Sequence, residues 1–163
     1  MEARPRWMRR AAVAAVASLL LLAGCAARAA SPASGKNSLR LRQAWARAAE
    51  AGQNAAVYLT IENPTGQADR LLDVRTDVAG RAELHQSRMN GGVMEMQPVT
   101  GGLEVGAGKS LSLAPGGYHI MLFDLRRSLR PGDRFQLQLR FRRAGLVEVP
   151  VEVRSAAAAM PGM

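Results

Sequence analysis

From Leu39 to Arg154 apolar residues recur at every second position, and turn residues interrupt them at short intervals, which is the signature of successive β-strands. Leu39, Leu41 and Trp45 alternate with Arg40, Arg42 and Ala44. Val57, Leu59 and Ile61 alternate with Tyr58, Thr60 and Glu62 before the turn Asn63-Pro64-Thr65-Gly66. Near the end, Phe135, Leu137, Leu139 and Phe141 form one such stripe and Val147, Val149, Val151 and Val153 another, joined as a predicted hairpin through Arg143-Ala144-Gly145. Pro150 has no amide proton for a ladder, so the last strand is expected at an edge or with a bulge there. No segment carries a helical stripe of three turns. The pattern predicts one all-β domain, a sandwich or barrel, over residues 39–154.

The first residues read differently. Arg4, Arg6, Arg9 and Arg10 precede the apolar run Ala11 to Leu22, and Leu22-Ala23-Gly24-Cys25 closes the segment. That run is short of the roughly 20 apolar residues that span a bilayer. The arrangement resembles a bacterial lipoprotein signal peptide over residues 1–24, which implies cleavage before Cys25 and a lipid on that cysteine. Residues 25–38 are small and polar and fit a tether. Residues 155–163, with Met160 and Met163, are expected to be a disordered tail.

Composition narrows the function. Aromatic residues are 4% of the 163 residues, too few for a platform on which nucleic-acid bases stack, so no nucleic-acid partner is expected. The net charge of +9 falls once the leader is removed, and Arg126, Arg127, Arg130, Arg134, Arg140, Arg142 and Arg143 are scattered rather than continuous. They read as a solvated strand face. The single cysteine excludes an intramolecular disulfide, a thiolate zinc cluster and a Cys-x-x-Cys redox pair.

Strand parity points to the candidate chemistry. In Arg81 to Ser87, Ala82 and Leu84 take one face while Glu83 and His85 take the other. In Tyr118 to Phe123, Ile120 and Leu122 define the core face, which sets His119 and Met121 together on the opposite side. Met94 and Met96 share a face between these segments. Two imidazoles and two thioethers make a soft, neutral donor set that favours Cu(I) over Zn(II), Mg(II) or Ca(II). A blue-copper electron-transfer centre needs a thiolate, and Cys25 is the only one in the sequence. Met89, in Arg88-Met89-Asn90-Gly91-Gly92, reads as a turn residue.

The chain resembles the periplasmic copper chaperones of the PCuAC family over Leu39 to Arg154. The resemblance is densest in Gln43-Ala44-Trp45-Ala46-Arg47, Ala55-Ala56-Val57-Tyr58-Leu59, Ala82-Glu83-Leu84-His85, Gly92-Val93-Met94-Glu95-Met96 and Pro115 to Leu122. The family's motif is His, ten residues, Met, twenty-one residues, His-x-Met. His85 and Met96 enclose ten residues, and Met96 and His119 enclose twenty-two. The extra residue is placed at the expected turn Gly101-Gly102, and it leaves Met94 as the alternative to Met96. The resemblance implies a cupredoxin-like antiparallel Greek-key β-sandwich that holds Cu(I) at a shallow site on His85, Met96, His119 and Met121. Cu(II) is left open. The domain is expected to be a monomer, lipid-anchored through Cys25 on the periplasmic side of the envelope. The implied acceptor is a copper protein such as a cytochrome oxidase subunit or its assembly factors. Phe123, on the ligand side, and Tyr118 are candidates to shield the ion. No nucleophile–base pair is evident, so no enzyme activity is expected. The competing readings are a copper-sequestering lipoprotein and a structural β-sandwich lipoprotein without metal.

Overall fold

The computed structural model describes residues 38–155, and among them all regular structure is strand. The leader, Cys25, the tether through residue 37, and Met160 and Met163 lie outside the described residues. Ten strands follow in order: β1 (Arg40–Arg47), β2 (Ala55–Glu62), β3 (Asp69–Arg75), β4 (Ala79–Asn90), β5 (Val93–Pro98), β6 (Leu103–Val105), β7 (Ser110–Leu113), β8 (Tyr118–Leu125), β9 (Arg134–Phe141) and β10 (Gly145–Arg154). One hydrogen-bonded path joins them as β5-β4-β8-β2-β1-β10-β9-β3-β6, with β7 beside β2. The path folds over so that β3 meets β4 and β6 meets β7, which closes a sandwich.

The alternating apolar positions fill the space between the layers. Val57, Leu59 and Ile61 from β2, Ile120 and Leu122 from β8, Leu137, Leu139 and Phe141 from β9, and Val151 and Val153 from β10 are all buried in one cluster. Each such side chain contributes about 1.5–3 kcal/mol on leaving water. Leucine, valine and isoleucine supply most of the core, as the low aromatic content requires. At the rim, the arginines that the sequence left as a solvated face include Arg127, 3.7 Å from Asp133, and Arg140, 3.8 Å from Asp73.

Four details differ from the sequence reading. The sandwich is not wholly antiparallel, because β1 and β10 run parallel, with Trp45 opposite Glu152 and Ala46 opposite Val153. Alternation in β1 breaks between Arg42 and Trp45, where Gln43 adopts φ 52°. This bulge shifts the parity, since Leu41 faces Ile61 and Ala46 faces Val57 on the core side. Trp45 is therefore on the outer face with Tyr58, not beside Leu39 and Leu41. The last strand is not a simple edge either. It pairs with β9 from Gly145 to Glu152 and with β1 over Glu152 to Arg154, so Pro150 falls in the half that β1 does not reach. Finally, β4 extends through Asn90, which places Met89 in the strand opposite Met94 instead of in the turn.

Two expected turns are found in place. Gly145, at φ 75°, closes the β9–β10 hairpin. Gly101 and Gly102, where the additional residue of the motif is expected, lie in the connection between β5 and β6 at φ 85° and 78°. A longer loop there leaves the faces of β5 and β8 unchanged.

Candidate metal centre

Residues directly opposite each other in an antiparallel ladder share a face, with Cβ atoms about 4.5–5.5 Å apart. Between β4 and β8, His85 is opposite His119 and Glu83 is opposite Met121. Between β4 and β5, His85 is opposite Pro98, Ser87 opposite Met96 and Met89 opposite Met94. The outer face thus carries His85 and His119 on one rung, Met121 on the next rung in one direction and Met96 on the next in the other. All four expected donors lie within one rung of the imidazole pair. Met94 is a rung further away than Met96.

The two imidazole rings have centroids 6.0 Å apart. Their hydrogen bonds fix which nitrogen of each is free. Nδ1 of His119 lies 3.1 Å from the carbonyl oxygen of Gly117 and donates to it, so the lone pair is on Nε2. Nε2 of His85 lies 3.1 Å from Oε2 of Glu83 and donates to that carboxylate. The remaining nitrogen, Nδ1 of His85, is buried and has no hydrogen-bond partner. A buried acceptor left without a partner ordinarily costs about 1–3 kcal/mol. A metal ion bound there would supply what that nitrogen lacks, and an imidazole whose other nitrogen donates to a carboxylate is a familiar metal-ligand arrangement.

Aromatic side chains wall the pair on both flanks. Phe123, on the same face, has its ring centroid 5.7 Å from that of His85 and carries the Arg81 guanidinium at 4.3 Å. Arg81 also holds Glu83, with Nε 3.0 Å from Oε1. On the other flank the ring of Tyr58 is 6.3 Å from that of His119 and is covered in turn by Trp45 at 4.5 Å. Burial pushes the Tyr58 phenol above its ordinary value, a rise partly offset by the nearby Arg47 guanidinium. Tyr118 is absent from this wall; it packs against the core.

The site is deeper than the shallow position expected. His119 is 4% exposed and the His85 side chain 12%, because the outer face has its own aromatic cover. Met121 is half-buried, whereas Met96 is 54% exposed on the edge strand. Among the described residues no group of three or more His, Cys, Asp or Glu side chains is placed to hold an ion. The expected donors gathered on this face are imidazoles and thioethers, the combination that suits Cu(I).

Glu83 and the Gly117 carbonyl were legible as partners only through spacing, since each stands two residues before the histidine it orients. The contribution of Trp45 was hidden by the bulge at Gln43.

Comparison with known proteins gives the same architecture. The family model described as "Putative lipoprotein LpqE-like" matches residues 39–153. A lipoprotein-named protein of Leifsonia xyli subsp. xyli is 32% identical over 158 residues, covering 94% of this chain and 93% of its own. The structure described as the copper-bound PCuAC domain from PmoF2 superposes with a TM-score of 0.59 at 23% identity, covering 72% of this chain and 92% of that one. The Cu(I) form of DR1885 from Deinococcus radiodurans superposes with a TM-score of 0.53 at 26% identity, covering 74% of this chain and 83% of that one.

Proposed function

The chain belongs to the LpqE-like lipoprotein family and has the cupredoxin-like PCuAC fold, and on that premise we propose that it is a Cu(I) carrier of the cell envelope. Its ligands are Nδ1 of His85, Nε2 of His119 and the thioethers of Met121 and Met96. The observation that carries this reading is the unpartnered, buried Nδ1 of His85, set across one rung from a second imidazole whose own tautomer is fixed. The Deinococcus structure, described as a Cu(I) form, supports the choice of ion.

The chemistry is that of transfer. All four donors are neutral, and both imidazoles already present a lone pair, so the ion enters and leaves by ligand exchange without proton release. Partial burial protects Cu(I) from water, while Met96 at the edge keeps one donor in contact with an incoming partner. Cys25 holds the lipid in this reading, which keeps the carrier on the periplasmic side of its membrane. The lipoprotein name of the Leifsonia relative supports that placement. The acceptor is a second copper protein, with the copper centre of a cytochrome oxidase the leading case, and the carrier acts without catalysing a reaction of its own.

The test is a Cu(I) titration of the reduced protein in competition with a chromophoric chelator. We expect one tightly held Cu(I) per chain, an affinity at least tenfold weaker in Met121→Ala and His85→Ala, and a melting temperature that rises with free Cu(I) as mass action requires. Equal affinities in wild type and both variants would overturn the reading. An unmoved melting temperature would favour a structural sandwich in which the histidines are incidental.

A further inference from the structure

The β4–β5 hairpin continues outward past the imidazoles. Its successive rungs on the ligand face are His85 with Pro98, Ser87 with Met96, and Met89 with Met94, before Gly91 and Gly92 at φ 56° and 85° turn the chain. Met89, Met94 and Met96 therefore share one face over two adjoining rungs. The opposite face is polar there, with Gln86 opposite Gln97 and Arg88 opposite Glu95.

These methionines do not serve the core. Met89 is 65% exposed, Met94 51% and Met96 54%. Methionine normally fills gaps inside a protein, and an edge strand is normally protected by charge. Here three thioethers stand in water on the edge hairpin, in register with a soft-metal site one rung inward. All three are more than half exposed, whereas His119, further in on the same face, is buried.

We propose that Met89, Met94 and Met96 form a second Cu(I) site, an outer thioether station through which the ion reaches the imidazoles. The inference rests on the reading of the inner site as a Cu(I) site. Met96 occupies the middle rung, diagonal to both Met89 and His85. Diagonal neighbours on paired strands lie about 7–8 Å apart, within reach of a long flexible side chain. Met96 can thus belong to the outer set and then to the inner one. Three neutral thioethers select a soft monovalent ion and reject Zn(II), Mg(II) and Ca(II). Movement inward replaces the thioethers of Met89 and Met94 by the lone pairs of His85 and His119. The ion remains Cu(I) throughout, and no electron or proton is transferred.

The test uses the full chain with labelled methionine methyl groups and Ag(I) as a redox-inert probe. In a His85→Ala/His119→Ala variant, we expect the methyl signals of Met89, Met94 and Met96 to shift together and to saturate with one ion. With Cu(I) supplied from a chelate, Met89→Leu/Met94→Leu is expected to keep the wild-type affinity of the inner site while taking up the ion several-fold more slowly. Met89→Ala/Met94→Ala repeats the measurement without added bulk. Unshifted Met89 and Met94 signals, or an unchanged uptake rate in both double variants, overturn the outer station. Loss of the tight affinity in these variants overturns it as well, since the two residues would then be inner ligands. A hairpin that only binds another protein would give no methyl shift with Ag(I). Failure of the inner reading is seen separately, as the absence of tight Cu(I) binding by the wild-type chain while the hairpin signals still respond to Ag(I).

Discussion

His85 and His119 face each other across one rung of the β4–β8 ladder, and each is oriented by an acceptor two residues before it in the sequence. For His85 that acceptor is a side chain, Glu83, and so it can be altered without touching a ligand. Glu83→Ala is expected to weaken Cu(I) binding by about 10–100-fold, the usual effect of removing a group that orients a metal-bound histidine. Chelator competition checks this. The chemical-denaturation midpoint should stay near that of the wild type, since Glu83 is a partly exposed residue outside the core.

Tyr58 gives the pH dependence. Its phenol titrates above the ordinary value of 10.0 in the folded protein because burial disfavours the phenolate. Where pH exceeds that ordinary value, the unfolded chain gives up a proton that the folded chain retains. The unfolded state then binds fewer protons, so this contribution to stability is complete below the ordinary value and is lost as pH rises through the raised one. Denaturation midpoints measured at increasing alkaline pH should fall in the wild type and fall less in Tyr58→Phe.

Gly102 is fixed by space as well as by its backbone angle. At φ 78°, a Cβ on this residue would lie 2.2 Å from the backbone oxygen of Leu71, whereas one on Gly101 would meet nothing within 4 Å. Gly102→Ala is expected to cost well over about 1 kcal/mol, the scale for alanine at a positive φ alone, and Gly101→Ala to cost less. Urea unfolding of the two variants makes the comparison.

Asn63 is buried and closes the loop after β2. Its amide donates to the carbonyl oxygens of Gln67 at 2.8 Å and Val105 at 2.9 Å, and its oxygen accepts from the amide and hydroxyl of Thr65 at 3.1 and 2.6 Å. Asn63→Ala strands several of these groups and is expected to cost about 2–5 kcal/mol, at about 1–3 kcal/mol per unsatisfied buried group. The same unfolding measurement reads it. Copper affinity per folded molecule should be unchanged, because the loop is remote from the outer-face ladder.

The alternation of residues carried the sheet faces well wherever a strand was regular. It put Glu83 beside His85, and His119, Met121 and Phe123 on one side of β8, and the register agrees. What alternation lacks is any statement about which strands are neighbours or what lies over a face. The bulge at Gln43 reverses the parity of Trp45 through one backbone angle that residue types do not announce. The burial of His119 depends on Tyr58, more than sixty residues earlier, and on the tilted Trp45 ring that covers it. Met89 looked like part of a turn because the Asn90-Gly91-Gly92 sequence is so strong a turn signal. Pairing with Met94 extends the strand right up to Asn90.

The parallel pairing of β1 with β10 also gives the domain two different poles. β1 sets out from Arg40 at the pole toward which the tip of the β4–β5 hairpin points, whereas β10 finishes at Arg154 beside Arg47, at the other. An affinity handle or fluorophore fused after Arg154 will therefore leave the methionine hairpin unobstructed. The same attachment ahead of Arg40 will crowd it.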